Sequence, residues 1–140
     1  MQKRYSDFIS LLKAHNKSGS EHCDMVVNGM CITTLRLLRE NGLIRGFSLV
    51  NTSHRKKLYP RATVYLNFCH RWNPAIADIR LFKNTGRDFT PVSYLSRKGL
   101  IGRRKLYLIS NMRGLQLISL PELLKNNLSV EGRVLVEFTV

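Results

Sequence analysis

The sequence predicts an α+β fold in two small lobes. The N-terminal lobe, 1–87, has the order helix, strand, helix, strand, strand; the C-terminal lobe, 88–140, is mostly antiparallel strands with one short helix. Three observations predict this. Apolar residues recur at helical spacing near the start, at Phe8, Ile9, Leu11 and Leu12. They alternate with period two across Ala62–Phe68 and again on both sides of a polar turn at Ser110–Gly114. Finally, 140 residues of which 44% are hydrophobic make one compact unit or two small lobes sharing an interface, not a disordered chain. The basic, glycine-bearing segment Gly99–Lys105 lies between the halves, and the boundary is set near Arg87.

In chain order, Ser6 is placed as the cap of the first helix, and His15–Ser20 ends that helix in turn-forming residues. Cys23–Val27 reads as a short strand. Ile32, Leu35 and Leu38 mark a second helix that stops at Gly42. Leu43–Val50, Ala62–Phe68 and Ile76–Phe82 read as strands, with a basic loop at Asn51–Pro60 and a turn at Asn84–Gly86. The runs Leu106/Leu108 and Leu115/Leu117 flank the Ser110–Gly114 turn, where Gly114 supplies the positive φ of a tight connection. Ser119-Leu120-Pro121-Glu122 has the form of a capping box, opening a short helix to Asn127 with Leu123, Leu124 and Leu128 inward. Gly132 precedes the last strand, Arg133–Val140, with Val134, Val136 and Phe138 inward and Leu135, Glu137 and Thr139 outward.

Charge is where the composition is unusual. Lys and Arg number 23 against nine Asp and Glu, a formal net charge of +14. Between Glu40 and Asp78 there is no acid, while Arg45, Arg55, Lys56, Lys57, Arg61 and Arg71 fall inside. Between Asp88 and Glu122 the pattern repeats with Arg97, Lys98, Arg103, Arg104, Lys105 and Arg113. Uncompensated charge of one sign favours a polyanionic partner whose counterions are released on binding. No apolar run reaches the roughly 20 residues of a membrane span, and no basic amphipathic helix is evident, so no membrane partner is expected.

Against this charge, the turn at Ser110–Arg113 presents a hydroxyl, an amide, a thioether and a guanidinium, the polar ones being groups that bind ribose, base edges and phosphate. Catalysis needs convergent titratable groups, whereas the nine acids are scattered singly and His15, His22, His54 and His70 stand beside turns or loops. An enzyme is not expected, and neither is a cofactor. Cys23, Cys31 and Cys69 are an odd number without CxxC spacing, which argues for reduced thiols. His22-Cys23 and Cys69-His70 would point adjacent ligands to opposite faces of a strand, so no metal site is expected.

The order of parts at the C-terminus is similar to that of the universal small-subunit ribosomal protein S-eight family. That family has a strand ending in Ser-Thr-Ser, a basic residue, Gly and a hydrophobic, where this chain has Ser110-Asn111-Met112-Arg113-Gly114-Leu115. A short helix, a Gly-Gly step and a terminal strand follow in the family; here they stand as Leu120–Asn127, Val130-Glu131-Gly132 and Arg133-Val134-Leu135. Upstream, Ser96-Arg97-Lys98-Gly99-Leu100 resembles the family's Ser-Arg-Pro-Gly-Leu, and Leu35–Ile44 resembles its second helix and the exit from it. The likeness runs from about Ser6 to Val140. Asn111 and Met112 stand where the family has hydroxyls, Lys98 where it has Pro, and the stretch from Gly99 to Ser110 is shorter than in bacterial members.

The resemblance implies a structural constituent of the small ribosomal subunit that binds the central domain of its ribosomal RNA and neighbouring ribosomal proteins, without forming a homo-oligomer. It implies RNA contacts at Ser110, Asn111, Met112, Arg113, Gly114, Arg97, Lys98, Arg103 and Arg104, and, by position in the family, at Lys13 and Asn16. Lys56 and Lys57 are read as solvated charges. The drift suggests an organelle, with the mitochondrion expected and a plastid or the bacterial cytoplasm as alternatives. Because the likeness begins close to Met1, leaving no room for a transit peptide, the expectation is a protein encoded inside the organelle. The alternative function is a free basic RNA- or DNA-binding regulator outside a ribosome.

Overall fold

The computed structural model describes residues 3–50, 60–68, 74–82, 90–92, 95, 104–125 and 131–140. Those residues form three helices and two antiparallel sheets, an α+β fold with helices concentrated in the N-terminal part and strands in the C-terminal part. The chain divides into two compact units, Gln2–Ile76 and Ala77–Val140.

In the N-terminal unit, helix α1 (Lys3–Ser18) buries Tyr5, Phe8, Ile9, Leu12 and Asn16 along one stripe. Tyr5 carries that stripe a turn upstream of the expected start, so Ser6 lies inside the helix and does not cap it. Leu11 falls off the stripe and is largely exposed. Strand β1 (His22–Val26) follows, then helix α2 (Gly29–Glu40). The α2 N-terminus is capped by Asn28, whose Oδ1 accepts from the Cys31 amide at 3.0 Å. Strands β2 (Ile44–Val50) and β3 (Arg61–Leu66) complete a sheet of order β1-β3-β2, with α1 packed on β1 and α2 on β2. Cys23, Met25, Ala62, Val64, Leu66 and Ile44 are its buried residues.

One polar link ties the two helices. The Thr34 hydroxyl donates to the Met30 carbonyl at 2.9 Å, so in its 2.9 Å contact with Tyr5 it accepts and the buried phenol donates. Cys23 and Cys31 are buried thiols; burial, with the Asp24 carboxylate adding to it, pushes Cys23 up to about 11. His22 is exposed on the opposite face from Cys23, and Cys69 lies outside the described residues. No cluster of three His, Cys, Asp or Glu among the described residues is arranged to hold a metal.

The C-terminal unit contains β4 (Asp78–Leu81), β5 (Thr90–Pro91), β6 (Lys105–Asn111), β7 (Gly114–Ser119), α3 (Leu120–Lys125) and β8 (Arg133–Thr139). Its sheet runs β4-β8-β6-β7, with β5 also paired to β8. The strand expected at Ile76–Phe82 therefore belongs here and not to the N-terminal lobe, and the units divide after Ile76, before the expected Arg87. Alternation marks a strand but not its partner, which lies far along the chain: Asp78 pairs with Thr139. Arg87 and the expected Asn84–Gly86 turn lie outside the described residues.

Strand β8 is buried on both faces from Val134 to Phe138, so Leu135 and Glu137 are not outward as expected. A bulge sits where Leu108 pairs with Val136 and Ile109 with Val134. Val92, Leu95, Tyr107, Ile109, Leu120, Leu123 and Val134 form one core cluster, joined by Phe82, Ile118 and Leu124. The helix starts at Leu120 as the Ser119–Glu122 pattern predicts; Leu128 lies outside the described residues. Glu137 is buried with partners on both oxygens: the Tyr107 hydroxyl donates to Oε2 at 2.8 Å, and Lys105 Nζ stands 3.5 Å from Oε1. No helix among the described residues is long and apolar enough to cross a membrane.

The direction of the Tyr5–Thr34 bond gives unequal mutant effects. Thr34→Val strands a buried phenol and is expected to cost on the order of 1–3 kcal/mol, whereas Tyr5→Phe leaves Thr34 bonded to Met30 and costs about 1 kcal/mol. Urea denaturation of both variants checks this, and a larger loss for Tyr5→Phe would reverse the assigned direction.

Burial and the neighbouring Glu137 also raise the Tyr107 phenol above its ordinary value of 10. A proton held more tightly in the folded state gives stability that is complete below pH 10 and is lost as pH rises beyond it. Tyr107→Phe should therefore flatten the alkaline fall in stability, read from denaturation midpoints on either side of pH 10.

Candidate nucleic-acid interface

Strands β6 and β7 are in register up to the pair Asn111–Gly114, so Met112 and Arg113 alone form the turn. Gly114 takes the expected positive φ, +119°. Asn111 Oδ1 accepts from the Arg113 amide at 2.9 Å, which fixes the turn from inside and leaves the Asn111 amide group as a donor. Met112 is completely exposed at the tip.

The other wall comes from the start of β8. Ser110 is paired with Arg133, which places Glu131, Gly132 and Arg133 beside the end of β6. Gly132 has φ +151°, and a Cβ there would lie 2.6 Å from Ile109 Cγ2 and 2.9 Å from the Ser110 carbonyl oxygen. Only a residue without a side chain lets the two backbones come this close. Between the walls lies an open groove of about 870 Å³ lined by Ser110, Asn111, Met112, Arg113, Gln116, Glu131, Gly132 and Arg133.

The structure thus gathers Ser110, Asn111, Met112 and Arg113 on one groove, while Gly114 shapes the turn that carries them. Gln116, Glu131, Gly132 and Arg133 are additions. Gly132 was visible as the step before the last strand, but its closeness to Ser110 follows from the β6–β8 pairing, which no local pattern reveals. Arg104 is exposed at the opposite end of β6, where its carbonyl accepts from Val140 N at 2.8 Å. Seven strand residues separate it from the turn, about 25 Å, so it does not line the groove. Arg97, Lys98 and Arg103 lie outside the described residues.

On α1, Lys13 is exposed, but Asn16 is buried and its Nδ2 donates to the Ile76 carbonyl at 2.8 Å. Asn16 is thus engaged within the N-terminal unit.

Chemically, the groove is an open, polar surface. It offers hydroxyl and amide groups for sugar or base edges, two guanidiniums for phosphate, one carboxylate that accepts from a base amine, and an apolar tip. The chain matches no protein-family model and no curated protein.

Gly132→Ala is expected to push β8 off the Ile109–Ser110 backbone and lower stability by about 1–3 kcal/mol. The amide signals of Ser110–Arg113 should shift more than those of β4, which also pairs with β8. Uniform small shifts would mean that Gly132 does not set the groove.

Proposed function

We propose that this chain is a structural RNA-binding protein of the small ribosomal subunit, holding the central domain of the small-subunit ribosomal RNA and supporting its assembly in translation. The observation that carries this reading is the groove at the end of β6, where Ser110, Asn111, Met112 and Arg113 meet Gln116 and Arg133. The order of motifs similar to the S-eight family supports it, as does the charge of +14. The divergence from that family favours a mitochondrial ribosome as the setting.

The mechanism is shape recognition. A-form RNA hides its base edges in a deep major groove and displays 2′-hydroxyls in a shallow minor one. A turn fixed by its own Asn111–Arg113 bond and by the Gly132 contact meets such a surface without ordering itself first. Ser110, Gln116 and the Asn111 amide pair with ribose or base edges. Arg113 and Arg133 neutralise phosphate, with Arg97, Lys98, Arg103 and Arg104 adding charge. Neighbouring ribosomal proteins are the further partners.

Co-sedimentation with a small ribosomal subunit separates this reading from that of a free regulator, which would remain in the soluble fraction. With a fragment of the central domain of the ribosomal RNA, the affinity should fall steeply and log-linearly with salt. Because Asn111→Asp keeps the acceptor that holds the turn while removing the donor and adding a charge that repels phosphate, it tests recognition without loosening the fold. Combined with Ser110→Ala, it should weaken specific binding at least about tenfold. Unchanged affinity in that double variant would reduce the turn to a connector.

A further inference from the structure

The N-terminal sheet leaves one face unused by its own core. Cys23, Met25, Ala62, Val64 and Leu66 point into the unit, so the alternate residues of β1 and β3 point away. Register sorts the outward residues into three cross-strand rows. His22, Tyr65 and Gly46 form the first, Asp24, Thr63 and Ser48 the second, and Val26, Arg61 and Val50 the third.

We propose that this face is a second nucleic-acid surface, one that takes single-stranded RNA with a base stacked on Tyr65. Tyr65 is on the central strand and 42% exposed. On one side its ring meets His22, with centroids 6.4 Å apart at a tilt of 44°. On the other side stands Gly46, and a Cβ built there meets nothing within 4 Å. An aromatic ring with a bare position beside it leaves room for a flat ligand, which a side chain at Gly46 would occupy.

The charges select the ligand. Asp24 is the one acid in β1, β2 and β3, and its Oδ1 accepts from the Thr63 hydroxyl at 2.6 Å. The cations are Arg61, exposed in the third row, and Arg45, exposed at the bulge between Ile44 and Gly46 beside Tyr65. Both belong to the stretch from Glu40 to Asp78 that contains no other acid. Aromatic stacking flanked by guanidiniums and hydroxyls is how unpaired bases and their phosphates are held on a flat sheet. A duplex would present its grooves to this surface and no free base faces. A protein partner would be expected on a broader apolar centre; here the centre is Tyr65, Thr63, Gly46 and Ser48. The inference rests on the sheet alone and not on the reading of the Ser110–Gly114 turn, so either can fail without the other.

The test is a fluorescence-anisotropy titration of the full chain with a short labelled oligouridine, which does not form a duplex with itself. Tyr65→Ala should weaken binding by about fivefold or more, and Tyr65→Phe should restore it to within roughly twofold of the native chain, since the ring does the stacking. Tyr65→Ala binding equal to that of the native chain, with its thermal unfolding unchanged, overturns the proposal. Should Tyr65→Ala unfold, photo-cross-linking of native chain to 4-thiouridine oligomers decides. Cross-links in the Arg61–Leu66 peptide support the surface, and cross-links confined to the groove residues Ser110–Arg113 overturn it. Failure of the native chain to bind oligouridine, or a protein as the only ligand of this face, overturns it too.

Discussion

The antiparallel pairing of β8 with β6 is the constraint on which the C-terminal unit depends. Strand β8 is the last in the chain, yet it lies in the middle of the sheet, with β6 on one side and β4 and β5 on the other. It therefore supplies apolar residues to both faces, and the one carboxylate it carries inward, Glu137, is bonded to Tyr107 and paired with Lys105. The same pairing brings Gly132 to the carbonyl of Ser110. Loss of that register would remove the core and the groove together. The candidate site is in this sense a by-product of sheet assembly: the β6–β7 turn provides one wall, and the end of the most buried strand provides the other.

Charge and shape are divided between different parts of this chain. Among the described residues, the groove lining contains Arg113 and Arg133 against Glu131, a small excess for a protein of net charge +14. Twelve of the 23 Lys and Arg fall in the two acid-free stretches, and of these Arg113 lines the groove. On the proposed function, long-range attraction to RNA would come from the charge of the whole chain and be insensitive to sequence, while the hydrogen-bonding groups of the groove would act only at contact range. Such a balance favours discrimination, because a strongly basic groove would hold any phosphate that entered it. On the proposed function, Glu131 would repel phosphate and accept from a base amine, penalising one wrong alignment and stabilising another.

Elements with a local cause were legible in the sequence. The stripe on α1 apart from Leu11, the stop after α2, the positive φ at Gly114 and the start of α3 at Leu120 each follow from residues within a few positions, whereas the turn expected over Ser110–Gly114 narrows to Met112 and Arg113. What was not legible depends on contacts between distant segments. The strand Asp78–Leu81 was assigned to the wrong lobe because its partner is the last strand. The outward placing of Leu135 and Glu137 failed because alternation describes a half-buried strand, whereas β8 has a neighbour on each edge and cover on each face. The start of α1 was misplaced because Tyr5, an aromatic with a hydroxyl, satisfies that hydroxyl on Thr34 and so becomes core. The groove's second wall has the same origin as the misassigned strand, a pairing across most of the C-terminal unit.

Polar residues give the sharpest version of this difficulty, since a binding amide and a structural amide look alike in a sequence. Asn16 and Asn111 are both side-chain amides proposed for RNA on the strength of one resemblance. In the fold, Asn16 is buried and spends its Nδ2 on the carbonyl of Ile76. Asn111 uses Oδ1 on the amide of Arg113, within the turn it stabilises, and keeps its donor on the groove. Thr34 and Thr63 divide similarly: Thr34 is enclosed between Met30 and Tyr5, whereas Thr63 holds Asp24 on an open face. The distinction between scaffold and site is therefore one of hydrogen-bond accounting and exposure together. Both amides are engaged within their unit, so exposure decides: Asn16 is enclosed, whereas Asn111 keeps a donor on the groove whose direction its own chain has already fixed.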